Sequence, residues 1–513
     1  MIDADTAGAR RVPAQRGATA GAVLALLTGL GAAELVALLF LPAASPISVV
    51  GAVVIDLAPP WLKDAVIALA GTADKAVLIG CVLIGTLALT AIFAGFSRGR
   101  ALPVSLWCIL VASIAVITAL VRVEPSPGVA LPGVVLGIVA CGSLHLLRSL
   151  SPHTEDETRR RGLIGAAAAM GVLGVGGLTG SAMLRGLRPT ETMDPVVLPK
   201  PVRTPPELPA SMDVEGISPL RTQQSDLYRI DTALVIPAQR RDWGLVIDGM
   251  VDAEIRLTLD QLLDEEMIEI DATMLCVSNP VGGDLVGSVR FQGVPVRTLL
   301  ERARPQPGAD QVLSTSQDGF TAGTPLEALT DPHRDALIVV GINGEPLTPE
   351  HGAPMRLFTP GLYGYVGATK WLRRLTVGTF ADQKAYWTTR GWSERGPVKT
   401  SARIDTPRSG ATVHPGADGT VPVAGVGWAV HRGVSAIQVR IDDGDWLDAE
   451  VGEDVNADYW RQWVLRAQLN PGNHRVQARA ADDEGRWQSD DERPPSPDGA
   501  EGLHTVEFTV AGG

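Results

Sequence analysis

Four cysteines occur in the chain, and their surroundings set one apart. Cys81, Cys108 and Cys141 lie in long apolar runs, whereas Cys276 is the single cysteine of the polar remainder, so that part forms no internal disulfide. A lone thiol is either an inert small hydrophobe or a functional nucleophile or ligand. The neighbours of Cys276 favour the second. Ala272 to Val277 reads as a short apolar strand, broken at once by Ser278-Asn279-Pro280 and Gly282-Gly283. The thiol is therefore expected at a strand end above a glycine-rich loop, where a backbone can closely approach a ligand. Two further motifs follow: His351-Gly352-Ala353-Pro354-Met355-Arg356, then Gly367-Ala368-Thr369-Lys370-Trp371. Taken singly, each has an ordinary reading. His351 is the kind of residue that is most often a satisfied core or surface histidine, Lys370 could snorkel beside a core Trp371, and Tyr228-Arg229 could simply start a strand.

Their joint order carries more. The stretch CVSNPVGGDLVGSVRFQGVPVRTLLERA resembles the molybdopterin-binding core of the sulfite-oxidase family. The resemblance covers Leu227 to Arg408 and, more loosely, the C-terminal segment; the residues before 186 lie outside it. In that family the cysteine thiolate binds molybdenum and one dithiolene pterin supplies two more sulfurs, a soft donor set suited to such a metal. The resemblance implies Cys276 as metal ligand and Tyr228 and Arg229 against the pterin. It implies His351, Arg356, Ala368, Thr369 and Lys370 around the cofactor's phosphate tail, and Ser316 or Asp318 near the metal end. For such a tail, Arg offers bidentate hydrogen bonds, Lys a point charge, and a glycine-rich turn its N–H groups. For catalysis it points to Cys276, Arg229 and Trp392.

Two departures bear on the substrate. Trp392, in Arg390-Gly391-Trp392, stands where sulfite oxidases proper carry a tyrosine, and Arg229 is offset from their substrate arginine. A sulfite anion needs a cluster of cations, for which Arg229, Arg356, Lys370 and Arg390 are the candidates. A sulfoxide, as in the methionine-sulfoxide branch of the family, is the other substrate class. The implied activity is oxo transfer to or from a small sulfur compound. No haem-attachment motif and no Fe–S cysteine set is present, so the electrons require a separate, unidentified partner. A reading of another class remains: a non-catalytic envelope module that keeps the fold for binding or assembly.

These residues need a scaffold, and the chain divides into very different parts. At 513 residues several domains are expected. Net charge is −13 and no Lys/Arg block occurs, which speaks against nucleic-acid binding. Apolar residues concentrate in the first third, with candidate spans at 20–41, 75–96, 102–121, 128–147 and 162–184. Residues 47–70, broken by Pro59-Pro60, Lys63 and Asp64, read as an interfacial or re-entrant hairpin. Basic residues Arg10, Arg11 and Arg16, then Arg98 and Arg100, then Arg148 and Arg159 to Arg161 fall on one side if there are five spans. The amino end is then cytoplasmic and everything after residue 185 lies outside, in a multi-pass protein of the plasma membrane. The Arg159-Arg160-Arg161 run also resembles a twin-arginine export signal. Among the spans the sole histidine is His145, with His153 in the next loop, so a bis-histidine haem is not expected.

The expected fold is multi-domain: an all-α transmembrane bundle (1–185), a Pro-rich linker (186–226), a mixed α+β molybdopterin-binding domain (227–399) and an Ig-like β-sandwich (400–513). Within the third part, strands are expected at Ala233–Pro237, Trp243–Ile247, Ile268–Cys276, Val312–Ser316 and Ala336–Val340, with helices at Leu257–Glu266 and Val294–Arg302. In the last, strands are expected at 421–426, 434–441, 459–469, 474–481 and 504–510. Asp442, Asp443 and Asp445 read as a solvated turn rather than a calcium loop. The last part resembles the family's dimerisation domain, which implies a homodimer. Its histidines, His414, His431, His474 and His504, lack ligand-like spacing.

Overall fold

A computed structural model describes residues 5–41, 44–57, 74–97, 100–122, 128–150, 157–187, 196–233, 236–237, 239 and 242–512. Two compact units divide the chain, one drawn mainly from the first 191 residues and the other from the rest.

The first unit is helical: α1 (Asp5–Phe40), α2 (Pro46–Leu57), α3 (Asp74–Phe96), α4 (Ala101–Arg122), α5 (Leu131–Leu150) and α6 (Glu157–Leu187). Five of these, all but α2, contain stretches long and apolar enough to cross a membrane. They coincide with the five expected spans. The stretch read as a hairpin begins as α2; its part from Pro59-Pro60 through Lys63 and Asp64 lies outside the described residues. Helix α1 is central because its glycines admit neighbouring backbones. A Cβ on Gly29 would come within 2.7 Å of the Leu136 carbonyl oxygen, and one on Gly31 within 2.5 Å of the Gly174 carbonyl. On α6, Gly174 and Gly177 meet α1, whereas Gly176 and Gly180 meet nothing within 4 Å. Only some of the α6 glycines are thus used in packing. Glu34, buried in α1, accepts from Ser45 Oγ at 2.9 Å and from the Ile47 N–H at 3.0 Å, capping α2.

The second unit holds two sheets that form the catalytic-type domain and two that form a sandwich. Its first strands are β1 (Gly244–Gly249), β2 (Ile255–Thr258), β3 (Ile268–Leu275), β4 (Val286–Pro295), β5 (Gln311–Ser316), β6 (Thr321–Pro325), β7 (Leu337–Ile342), β8 (Glu345–Pro346), β9 (Arg356–Phe358), β10 (Ala368–Thr369) and β11 (Leu372–Gly378). One sheet runs β2-β1-β11-β5-β6, with β1 parallel to β11; the other runs β10-β9-β7-β4-β3, with β8 beside β7. Short helices α7 (Leu259–Leu263), α8 (Val296–Ala303), α9 (Leu326–Thr330) and α10 (Gly364–Gly367) fill the connections, giving the mixed α+β domain. The expected helix Leu257–Glu266 is shorter than its periodicity suggests. Ile255 to Thr258 pairs with β1, and the helix starts only after Thr258, which closes a capping box with Gln261. Within the expected strand Ala233–Pro237, positions 234 and 235 lie outside the described residues, and 233, 236 and 237 carry no strand.

Strand β3 was expected to alternate, yet it is buried along nearly its whole length. Its outer side is covered by the loop at 456–460: Thr273 N–H donates to the Asp458 carbonyl at 2.8 Å, and Trp460 N–H to Thr273 Oγ1 at 2.8 Å. The Pro-rich segment also departs from the sequence reading. Rather than standing off as a spacer, residues 196–226 lie along this unit. Val202 N–H donates to the Met267 carbonyl at 2.8 Å, Arg203 bridges to Ile268, and Pro206 accepts from Arg290 at 2.7 Å. Prolines favour the extended form this requires, and lacking N–H groups they leave none unpaired. Arg290 is itself paired bidentately with Asp271, at 2.9 and 2.6 Å, both side chains buried.

The sandwich comprises β12 (Ser401–Thr406), β13 (Thr412–Val413), β14 (Val421–Trp428), β15 (Val434–Ile441), β16 (Trp446–Asp448), β17 (Glu450–Val451), β18 (Arg461–Ala467), β19 (Gly472–Asp482) and β20 (His504–Val510). Its sheets, β12-β14-β18-β17 and β13-β20-β19-β15-β16, enclose Val423, Val439, Trp463, Val476 and Phe508. Asp442 and Asp443 make the expected turn, both with positive φ, and Arg475 hydrogen-bonds to both carboxylates. A second core joins sandwich and catalytic-type domain: Leu275, Val277, Tyr363 and Tyr365 pack with Val426, Trp428 and Trp460.

Candidate functional site

Cys276 sits where β3 ends. Its N–H donates to the Leu285 carbonyl at 3.0 Å and its carbonyl accepts from Asn279 at 3.1 Å, so strand pairing gives way to a turn at the thiol. The glycines that follow do a different job from the one expected. Gly282 has φ +77°, and a Cβ there would strike the His504 ring of the sandwich; Gly283 packs on Asn279 and Pro280, and its carbonyl accepts from Arg403 at 3.0 Å. The loop approaches the neighbouring domain closely, and neither glycine lines the cavity at the thiol.

The thiol lines a cavity of about 140 Å³. Tyr228, Ser316, Asp318, Arg356, Ala368, Lys370 and Trp392 line it too, so most residues singled out in the sequence converge. Ser316 and Asp318 come from the turn joining β5 to β6, where Phe320 N–H donates to Asp318 Oδ1 at 3.2 Å. Arg356 opens β9, and Ala368 lies on β10 beside it. Lys370 follows directly. A Cβ on Gly352 (φ +103°) would come within 3.0 Å of the Lys370 backbone, so this close crossing requires glycine.

Three expected residues stand elsewhere. Thr369 is buried behind the wall, its hydroxyl 2.6 Å from Ser314 Oγ. Arg229 is exposed and reaches Asp231 at 3.7 Å without lining the cavity. His351 is buried beside Arg356, whose Nη1 donates to its carbonyl at 3.2 Å, but its ring is not part of the lining. Arg390, a candidate for the cation cluster, also stays outside: its guanidinium lies 3.5 Å over the Tyr386 ring. The four proposed cations therefore do not converge; two do.

Several lining residues escaped the sequence reading. Asp231 Oδ2 accepts from Lys370 Nζ at 3.1 Å, and both side chains are nearly buried. Met274, two residues before the thiol on β3, sets its sulfur 3.2 Å from Arg356 Nη2. Phe320, Tyr365 and Trp387 complete the wall near Trp392. Asp231 stands two residues after Arg229 and Trp387 five residues before Trp392, but neither position carries a signal of facing inward.

Burial dominates the electrostatics. It pushes the Cys276 thiol up, against the Ser278 N–H and hydroxyl and the Lys370 charge, which favour thiolate. It pushes Arg356 down to about 10 and Lys370 down to about 8, the latter held up by Asp231. His351 falls to about 4 through burial and the Arg356 and Lys370 charges, so its ring is neutral. Arg356 is the unusual member: only 3% exposed, it hydrogen-bonds to a carbonyl and a thioether, and its Nε has no partner. His351 Nδ1 is likewise buried without a partner. A buried guanidinium with so few acceptors suits an anionic ligand. A thiol beside it, poised by donors and a cation, suits a soft metal. The residues present thus fit a molybdenum–pterin group that carries a phosphate.

Comparison with known proteins agrees with this chemistry. A family profile for the oxidoreductase molybdopterin binding domain matches residues 233–387. Inducible nitrate reductase [NADH] 2 of Glycine max is 30% identical over 213 residues, which make up 36% of this chain and 23% of that protein. The mitochondrial sulfite oxidase of Drosophila melanogaster is 26% identical over 310 residues, 50% of this chain and 53% of that protein. The chain thus spans about half or less of the length of these relatives. The crystal structure of the sulfane dehydrogenase SoxCD from Paracoccus pantotrophus aligns with a TM-score of 0.47 at 21% identity, covering 57% of this chain and 81% of that one. Residues 233–387 thus match an oxidoreductase molybdopterin binding domain, and the chain is similar to sulfite oxidase and to nitrate reductase.

Proposed function

We propose that the chain is a membrane-anchored, molybdenum-cofactor-dependent oxidoreductase that performs oxo transfer on a small sulfur-containing substrate outside the cytoplasm. The observation that carries this is the presence in one cavity of the Cys276 thiol and the buried Arg356 guanidinium, which has no carboxylate partner among the described residues. When bound, the cofactor supplies two-electron oxo-transfer chemistry. The chain's own residues hold and tune it. Cys276 ligates the metal as thiolate, favoured by the Ser278 donors. Arg356 binds the cofactor's anionic tail, with neutral His351 offering Nδ1 and Lys370 its charge. Asp231 holds Lys370 in place. Tyr228 bounds the pterin side, with Ser316 and Asp318 toward the metal end. Arg229, lying outside the lining, serves at most the cavity's mouth.

The five apolar helices anchor the chain, and the placement of basic residues favours a cytoplasmic amino end with residues 196–512 on the far side. The folded domain then crosses with its cofactor already loaded, the role we give to the Arg159–Arg161 run. Electrons leave singly to a partner not encoded here. The C-terminal sandwich is Ig-like and of the dimerisation type, so a homodimer is the assembly we propose.

Metal and pterin analysis of the full chain, purified from a host that makes the cofactor, tests this reading. Molybdenum and pterin in equal amounts, both lost in Cys276→Ser, support it. Folded protein lacking both is the result expected of a non-catalytic envelope module and refutes the enzyme.

A further inference from the structure

An oxyanion such as sulfite and an uncharged sulfur compound make opposite demands on the cavity, and its walls distinguish them, given the cofactor reading above. The charged side chains among the described lining residues, thiol and phenol apart, are Arg356, Lys370, Asp231 and Asp318. Lys370 is paired with Asp231 at 3.1 Å. Arg356 is the group that meets the cofactor's anion. Arg229 and Arg390 do not line the cavity. With an anionic cofactor in place, no described lining cation remains for a second anion, and the Asp318 carboxylate opposes one.

Aromatic side chains line the same cavity, among them Phe320, Tyr365, Trp387 and Trp392. These rings brace one another, with Tyr365 and Trp392 5.7 Å apart between centroids and Trp387 and Trp392 6.0 Å apart, edge to face. Tyr365 Oη donates to the Ser393 carbonyl at 2.9 Å, and Trp392 N–H to the Trp387 carbonyl at 3.2 Å, so the rings are positioned in advance. Aromatic faces and edges attract apolar substituents and polarisable sulfur.

We infer that the cavity takes an uncharged sulfur compound with an apolar substituent, a sulfide or its sulfoxide, seated against Trp387 and Trp392, and that it disfavours sulfite-like oxyanions. Trp387 and Trp392 are then specificity-determining residues. In the reducing direction the S=O bond breaks: two electrons from a one-electron donor used twice and two protons from water convert the sulfoxide to sulfide and water.

The test uses the full chain in detergent, with molybdenum and pterin measured first. Methyl phenyl sulfoxide is assayed with a reduced viologen dye and sulfite with ferricyanide; binding of each is measured by calorimetry. The sulfoxide is expected to bind, and sulfite to bind at least tenfold more weakly. Trp392→Ala should raise KM for methyl phenyl sulfoxide about tenfold, more than it lowers kcat and more than it raises KM for dimethyl sulfoxide. Trp392→Phe, which keeps a ring, should restore most of the loss, separating substrate contact from misfolding. Trp387→Arg should tighten sulfite binding. Loaded protein that binds sulfite as well as the sulfoxide, or a Trp392→Ala variant with unchanged KM, overturns the substrate class alone. Folded protein without molybdenum and pterin overturns the cofactor reading and this inference with it.

Discussion

The two walls of the cavity are built by different means. The charged wall, with Cys276, Met274, Arg356 and Ala368, is carried on or beside strands of one sheet, β3, β9 and β10, whose pairing fixes each position. The aromatic wall, with Trp387 and Trp392, rides on the segment after β11, which has one short 3₁₀ turn at Thr388–Arg390 and is held by side-chain contacts. Strand-borne groups suit a tightly held cofactor, whose ligands must stay in register. A loop-borne wall can change without disturbing that register, which suits a surface that chooses the substrate.

Substitutions can break or sharpen this contrast. The largest effect is expected for Cys276→Ser, which should abolish molybdenum binding while leaving the circular dichroism unchanged; equal metal loss in Trp392→Ala would erase the distinction between the walls. Next comes the frame of the charged wall. Asp271→Ala leaves Arg290 buried without its partner and should cost about 3–5 kcal/mol in urea unfolding. Arg356→Ala should weaken cofactor retention about 10- to 100-fold, read as pterin released on dialysis. The smallest effect is expected on the aromatic side, where Tyr365→Phe removes one hydrogen bond to Ser393 and should cost about 1 kcal/mol, with the cofactor kept.

The charged wall was also the legible one. Cys276, Arg356 and Lys370 stand in motifs with glycine at the crossings, and Gly352 is needed where Lys370 passes. The spans and most strands of both sheet-bearing parts followed from hydropathy and alternation. The aromatic wall did not, because a loop side chain has no periodicity to say which way it faces. Arg390 shows the cost: its charge suggested a place in a cation cluster, but stacking on Tyr386 holds it outside. The Pro-rich segment misled for a related reason. Its composition specifies extension, and extension serves equally for a free spacer and for a strap hydrogen-bonded along a domain.

The contact between Gly282 and His504 ties the cysteine turn to a strand far downstream in sequence. His504 also accepts the Ile404 N–H at 2.9 Å, and Arg403 reaches the Gly283 carbonyl, so the turn is gripped by one strand from each sheet of the sandwich, β12 and β20. During synthesis the Cys276 sulfur emerges long before the ring that shapes its loop. A nascent polypeptide interrupted within the sandwich therefore lacks the contacts that shape the Cys276 turn, and the metal site proposed there is complete only once β20 has been made and docked.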